Sequence, residues 1–236
     1  MDKFLKQKKL LIFDLDETIY DHQFASLSGL KAIFEAYPIW QNGDLKTVEN
    51  MYFEDLHNSH LHVIDGNISE ESSHFARFEK IAKHFKFSFP KHDYLKMIEI
   101  YNKTSQSSKR AIPYAPETIA SLKKHGFTIA LITNGRVENQ KRKITLCNIV
   151  ASLDFILISE EVGIRKPAKE IFELALQQAK MDASEAVMIG DSWDSDILGA
   201  QGAQIQPIWV NRGRHKNHHP ETIVEIQHVR DLFQYL

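Results

Sequence analysis

Five short apolar runs, each broken off by a polar or small residue, constrain the fold more tightly than any other feature of this sequence. They are Leu10–Phe13 before Asp14, Ile129–Ile132 before Thr133, Phe155–Ile158 before Ser159, Ala186–Ile189 before Gly190, and Ile208–Val210 before Asn211. An apolar run this short, without polar alternation, is the pattern of a strand buried on both faces. Helical stretches alternate with the last four: Glu117–His125, between Pro116 and Gly126, precedes the second run, and Val137–Asn148 and Lys169–Lys180 follow the second and third, with Ile171, Leu174, Ala175 and Gln178 sharing a face. Asp194–Gln201 is a further helical candidate. Strands alternating with helices predict an α/β fold, a Rossmann-like parallel sheet flanked by helices. In such sheets ligands bind beyond the carboxyl ends of the strands, where the polar residues above lie.

The segment between the first run and the second reads differently. It has no comparable strand signal and four helical candidates: Phe24–Tyr37, Leu45–Leu61, Glu71–Phe85 and His92–Lys103. The polar stretch Asn102–Arg110 reads as a return linker. The expected organisation is an α/β core domain of residues 1–17 and 109–236, interrupted by an α-helical cap domain of residues 18–108. No internal repeat and no low-complexity segment is present.

Composition narrows the classes of function. With 29 basic and 31 acidic residues the net charge is −2, too acidic for nucleic-acid binding by bulk charge. The apolar stretch near the N-terminus is too short for a signal peptide, and no run approaches a membrane span. Cys147 is the single cysteine, so no internal disulfide forms, which suits a reducing compartment. The expectation is a cytoplasmic monomer or homodimer, with no nucleic-acid or membrane partner.

Asp14-Leu15-Asp16 follows the first run, and Gly190-Asp191-Ser192-Trp193-Asp194-Ser195-Asp196 follows the fourth. If those strands are central and parallel, the carboxylates converge. Converging carboxylates repel, so their pKa values rise or a cation neutralises them. Oxygen-only ligands favour a hard ion such as Mg²⁺. Thr133-Asn134-Gly135 brings a hydroxyl, an amide and flexible backbone N–H groups suited to phosphate oxygens. Lys166 brings a fixed positive charge. Asp14, Asp16, Asp191 and Asp196 against Lys166 leave three net negative charges, which would repel a phosphate dianion. By that count the metal is a requirement for binding a phosphate ester.

These residues resemble the haloacid dehalogenase-like superfamily of phosphohydrolases. Its four motifs occur in order as Asp14-Leu15-Asp16-Glu17-Thr18, Leu131-Ile132-Thr133-Asn134, Lys166-Pro167, and Gly190-Asp191 with Asp196, spanning about Lys9 to Asn211. The resemblance implies Asp14 as nucleophile and Asp16 as general acid, then base. It implies Asp14, the backbone carbonyl of Asp16, and Asp191 as ligands of Mg²⁺, with Asp196 orienting metal waters or Lys166. Thr133 and the backbone at Asn134 would bind phosphate, and Lys166 would neutralise nucleophile and phosphate. Two positions depart from the pattern: Glu17 replaces a frequent glycine, and Ala168 a frequent acidic or amide residue.

Within the superfamily, Ser159-Glu160-Glu161-Val162-Gly163, Ser195-Asp196-Ile197-Leu198-Gly199-Ala200 and Trp209-Val210-Asn211 resemble the subgroup of pyrimidine 5′-nucleotidases and acylneuraminate phosphatases. The expected reaction is Mg²⁺-dependent hydrolysis of a small phosphate ester through an aspartyl phosphate, on a pyrimidine nucleoside 5′-monophosphate. The alternatives are a sugar-phosphate or acylneuraminate phosphatase, a 2-haloacid dehalogenase, and a phospho-accepting regulator. Asp16 favours phosphatase over dehalogenase, because dehalogenases do not use this second aspartate as acid and base. In the cap, Tyr20, Phe24, Phe75, Arg77 and Phe78 are candidates to face the leaving group, although aromatics at helical spacing also build cores.

Other features carry two readings each. His57, His60 and His62 read as a transition-metal site or as a solvated helix and loop. Arg212–His219 reads as a basic, His-rich surface loop or a nucleic-acid contact. Trp193 lines the cleft or packs beneath it. Cys147 has no activating neighbour in sequence and reads as structural.

Overall fold

A computed structural model describes residues 4–64, 68–213 and 223–236. Six strands form one parallel sheet: β1 (Leu10–Phe13), β2 (Thr128–Thr133), β3 (Phe155–Ile158), β4 (Ala186–Gly190), β5 (Gln206–Val210) and β6 (Val224–Ile226). Their order is β3-β2-β1-β4-β5-β6. β1 is therefore central, with Phe13 in register with Leu131 on one side and Ile189 on the other. The chain winds outward in both directions from β1, and the crevice at such a reversal is where open α/β sheets bind ligands.

The short apolar runs form strands because both of their faces are covered. Side chains alternate along a strand, so Leu11, Phe13, Ile129, Leu131, Val187 and Ile189 enter one core, while Leu10, Ile12, Ala130, Ile132 and Met188 enter the other. Helix α5 (Ala115–Lys124) and the end of α6 (Val137–Leu146) supply Ile119, Leu122 and Ile144 to the first. After the single turn α7 (Ser159–Val162), α8 (Lys169–Ala179) supplies Ile171, Phe172 and Ala175 to the second. Burying a side chain such as Phe172 stabilises by roughly 1.5–3 kcal/mol.

The chain divides into two compact units, Met1–Asp21 with Arg110–Leu236, and His22–Lys109. Thr18–Asp21 belong with the sheet, a few residues beyond the expected boundary. Ile19 and Tyr20 are buried in the sheet's core, and Tyr20 pairs with Asp16 and Ala111. The other unit is α-helical: α1 (His22–Ala36), α2 (Leu45–Ile64), α3 (Glu70–His84) and α4 (Lys91–Ser107). α1 and α4 approach closely at Gly29, where a Cβ would stand 2.5 Å from the Tyr101 ring. A polar network lies inside this unit. The Tyr52 and Tyr101 hydroxyls are 2.6 Å apart, and the Arg77 guanidinium lies 4.6 Å from the Tyr52 ring centroid while also bonding Asp55 and Ser73.

Three expectations are corrected. Asn102–Ser107 is the last part of α4, not a linker: its Ser105 and Ser107 hydroxyls donate to carbonyls three residues back, so a polar composition remains helical. The helix expected at Asp194 opens as a π-helical turn, Trp193–Leu198, in which the Ser192 carbonyl accepts from both Asp196 and Ile197. It continues into α9 (Gly199–Gly202). Strand β6 was not expected, because three residues with Glu225 in the middle carry no apolar run. No helix among the described residues is long and apolar enough to cross a membrane.

Candidate active site

Asp14 stands one residue beyond β1, and its backbone N–H donates to the Ile189 carbonyl of β4 at 2.9 Å. This fixes the aspartate at the centre of the sheet's carboxyl edge. Lys166 reaches it from the loop before α8. The Lys166 Nζ lies 2.6 Å from Asp14 Oδ1 and 2.6 Å from Asp196 Oδ1, and all three residues are buried. The lysine backbone is held as well. Asn134 Nδ2 donates to the Lys166 carbonyl and Asn134 Oδ1 accepts from the Lys166 N–H, each at 2.9 Å. Asn134 thus ties the loop after β2 to the loop before α8.

Asp196 is fully buried, and its second oxygen accepts from the Ser192 N–H at 3.0 Å. It packs directly on Gly190: a Cβ there would stand 2.3 Å from Asp196 Oδ2 and 2.4 Å from its Cγ. The glycine closing β4 is therefore a steric requirement for seating Asp196. Asp191 follows it, with its carbonyl accepting from Trp209 Nε1 at 2.8 Å. Trp193 meets Trp209 edge to face, ring centroids 5.3 Å apart, and so packs on β5.

One carboxylate oxygen from each of Asp14, Asp191 and Asp196 lies within 4.8 Å of the others. An oxygen-only set of this kind suits a hard divalent cation. Both Asp196 oxygens are engaged, one by Lys166 and the other by Ser192, so Asp196 is poorly placed to ligate an ion directly. Burial pushes the Asp14 carboxyl up to about 7, the Asp196 and Asp16 carboxylates add to the push, and the Lys166 ammonium opposes it. Burial by itself would lower the lysine, yet its two carboxylate partners overcome that and hold it charged.

Thr133 ends β2 and is buried. Its hydroxyl contacts Gln140 Nε2, which also reaches the Asn134 carbonyl at 3.2 Å and Asp16 Oδ2 at 3.0 Å. Asp16 is further bound by Lys143 Nζ, 2.7 and 2.9 Å from its two oxygens. Sequence reasoning missed Gln140 and Lys143. Their signal was a pair three residues apart on α6, directly after the Thr133-Asn134-Gly135 loop. With Lys143 counted, four carboxylates face two ammonium groups, and the net charge without a metal is −2 rather than −3.

Glu17, the departure in the first motif, has φ +63°, a conformation glycine adopts readily. Its carboxylate lies 3.4 Å from Arg212 Nη1, and that same nitrogen is 3.2 Å from buried Asp21, which Arg110 also grips at 2.9 Å. The side chain thus joins an ion network beside the site.

The expected leaving-group surface is largely interior. Tyr20 is buried in the sheet unit, while Arg77 and Phe78 are buried within the helical unit and Phe75 packs on Tyr94. Phe24 is the exposed member, at 37%. Cys147 is buried, and burial pushes its thiol up to about 12. The side chains of His57, His60 and His62, and residues 214–219 of the His-rich segment, lie outside the described residues.

Comparison with known proteins agrees with this geometry. The model of the haloacid dehalogenase-like hydrolases matches residues 11–210. The pyrimidine 5′-nucleotidase YjjG of Escherichia coli is 29% identical over 229 residues, 95% of this chain and 94% of its own. A glyceraldehyde 3-phosphate phosphatase of Pyrococcus furiosus is 26% identical over 89% of this chain and 84% of its own. Among solved structures, magnesium-bound YfnB of Bacillus subtilis shares the fold with a TM-score of 0.70 at 24% identity, covering 96% of this chain and 97% of that one.

Proposed function

The chain belongs to the haloacid dehalogenase-like hydrolases, and on that basis we propose that it is a Mg²⁺-dependent phosphomonoesterase working through an aspartyl phosphate. The observation that carries this reading is the division of labour between two carboxylates. Asp14 is buried against Lys166 and beside Asp191, whereas Asp16 is held separately by Lys143 and Gln140. That separation supports Asp14 as the group that attacks and Asp16 as the one that handles protons.

In the first half-reaction an Asp14 oxygen bonds to phosphorus as the ester P–O bond breaks, and Asp16 gives its proton to the leaving oxygen. In the second, Asp16 takes a proton from water, the water oxygen bonds to phosphorus, and the Asp14–phosphorus bond breaks to release phosphate. Lys166 offsets the charge gathered on nucleophile and phosphoryl group, the electrostatic contribution that dominates phosphoryl transfer. Thr133 donates to a phosphoryl oxygen. Asp14, Asp191 and the Asp16 carbonyl would hold Mg²⁺, with Asp196 fixing the lysine beside them. The ion would supply two positive charges, cancelling the site's net −2.

A halide departs without a proton, so a dehalogenase has no need of a clamped second carboxylate. An alkoxide does need one, and Asp16 therefore favours phosphate esters. For the substrate we take a pyrimidine nucleoside 5′-monophosphate, on the strength of the likeness to YjjG along nearly the whole chain. The test is release of phosphate from p-nitrophenyl phosphate and a panel of phosphorylated metabolites. Asp14→Asn abolishes turnover and EDTA suppresses it. Full activity in that variant overturns the nucleophile, a long-lived phosphoprotein without turnover supports a regulator instead, and activity on sugar phosphates alone moves the substrate.

A further inference from the structure

We propose that Lys143 and Gln140 are positioning residues for Asp16, a clamp on α6 that aims its carboxyl group at the leaving oxygen. The inference rests on the acid–base reading of Asp16 above. Three bases lie in succession on this helix. Lys141 and Arg142 turn outward to surface acids, with side chains 56% and 74% exposed. Lys143 turns inward, is 22% exposed, and spans both oxygens of Asp16. Its ammonium also lies 5.3 Å from the ring centroid of buried Tyr20, whose backbone pairs with Asp16. The clamp therefore grips a carboxylate whose main chain is already fixed.

Gln140 supplies the second contact and is itself buried. The Asn134 carbonyl, 3.2 Å away, can only accept, so the NH₂ end of the amide must face it, and the same end meets Asp16. The Thr133 hydroxyl faces that same NH₂ and accepts from it, which leaves its own proton to donate to a phosphoryl oxygen. One amide thus sets the phosphate-binding hydroxyl and the acid–base carboxylate in a common frame. Gly135, φ +142°, permits this: a Cβ there would press on Gln140 at 3.1 Å. Aim matters here because a proton transfer requires hydrogen-bond distance to the leaving oxygen, and small misplacements cost large rate factors.

A merely structural lysine and a positioning lysine differ in one readout. Phenyl phosphate has a poorer leaving group than p-nitrophenyl phosphate and depends more on protonation by Asp16. The experiment measures kcat/KM, which covers steps through the first phosphoryl transfer, for both substrates in wild type, Lys143→Met, Lys143→Arg and Asp16→Asn. Lys143→Met should lose about tenfold more on phenyl than on p-nitrophenyl phosphate, a part of the 10²–10⁴ that general acid catalysis supplies. Lys143→Arg should restore most of that difference. Added to Asp16→Asn, the Lys143→Met change should cost nothing further in the ratio. Equal losses on both substrates, or no loss on either, overturn the clamp. If Lys143→Met does not fold, judged by its unfolding transition, Lys143→Gln carries the comparison. Should Asp16→Asn itself show no leaving-group dependence, the acid–base reading fails; if it does and Lys143→Met does not, only the clamp fails.

Discussion

Replacing Lys166 with methionine removes an ammonium that two buried carboxylates share. Each contact is 2.6 Å. At an effective dielectric of about 20, each is worth roughly 6 kcal/mol of Coulomb energy, before the cost of desolvating three ions is deducted. Breaking one buried pair by deleting a partner typically costs about 3–5 kcal/mol. A protein of this size shifts by about 2–4 °C per kcal/mol, so the metal-free variant should melt on the order of 10 °C lower. The deficit should depend on pH. Asp14 already has its carboxyl pushed up to about 7 with the ammonium opposing the push, and losing that opposition raises it further. A carboxyl raised in the folded state binds more protons there than in the unfolded chain. Its stabilisation is complete below the unfolded value near 4 and is lost as pH rises through the folded value. Thermal unfolding of metal-free Lys166→Met should therefore lag wild type more at pH 8 than at pH 5.5. Mg²⁺ should recover part of the loss at the higher pH. A variant within about 1 kcal/mol of wild type at pH 8, or a deficit independent of pH, would rule out a lysine shared in this way.

Three further outcomes are expected. Gly190→Ala forces its methyl into Asp196, so urea unfolding should show a loss of about 3 kcal/mol or more together with collapsed activity. His74 is a half-buried ring stacked among Tyr52, Phe78 and Tyr101, and burial, with Arg77 and His22 adding to it, lowers its pKa to about 4. The unfolded chain then binds the extra proton between about pH 6.5 and 4, and stability falls as pH drops through that window, by about 1–3 kcal/mol; His74→Phe should flatten this fall in unfolding midpoints. Cys147, buried with its thiol pushed up to about 12, should resist iodoacetamide at pH 8 until the chain is unfolded, as counted by mass spectrometry.

The strands of the central sheet were legible because a strand buried on both faces leaves a mark no surface strand leaves. Leu10–Phe13 and Ala186–Ile189 could pack nowhere else. The acidic ends were legible because Asp14 and Asp191 terminate such runs. The features that stayed hidden depend on tertiary packing. Arg77 looked like a surface contact for ligand, yet its guanidinium is absorbed by Tyr52, Asp55 and Ser73 from two helices. Lys143 carries no mark in the sequence beyond being the last of three successive bases, and only the placement of α6 beside Asp16 reveals its inward turn. Gly190 read as a strand terminator; its contact with Asp196, six residues on, depends on the π-helical turn that brings the two together. The edge strand β6 escaped because three residues paired on one side have no need of an apolar run.

If Asp14 is the nucleophile and Asp16 activates the water that releases phosphate, then disabling Asp16 should trap the phosphorylated enzyme. Mass spectrometry detects that species directly in Asp16→Asn protein quenched in acid during reaction with p-nitrophenyl phosphate and Mg²⁺. One added phosphoryl group is expected, confined to the peptide containing Asp14 and absent in Asp14→Asn. A phosphoryl group on another residue, or steady turnover with no label on that peptide, is incompatible with Asp14 as the nucleophile.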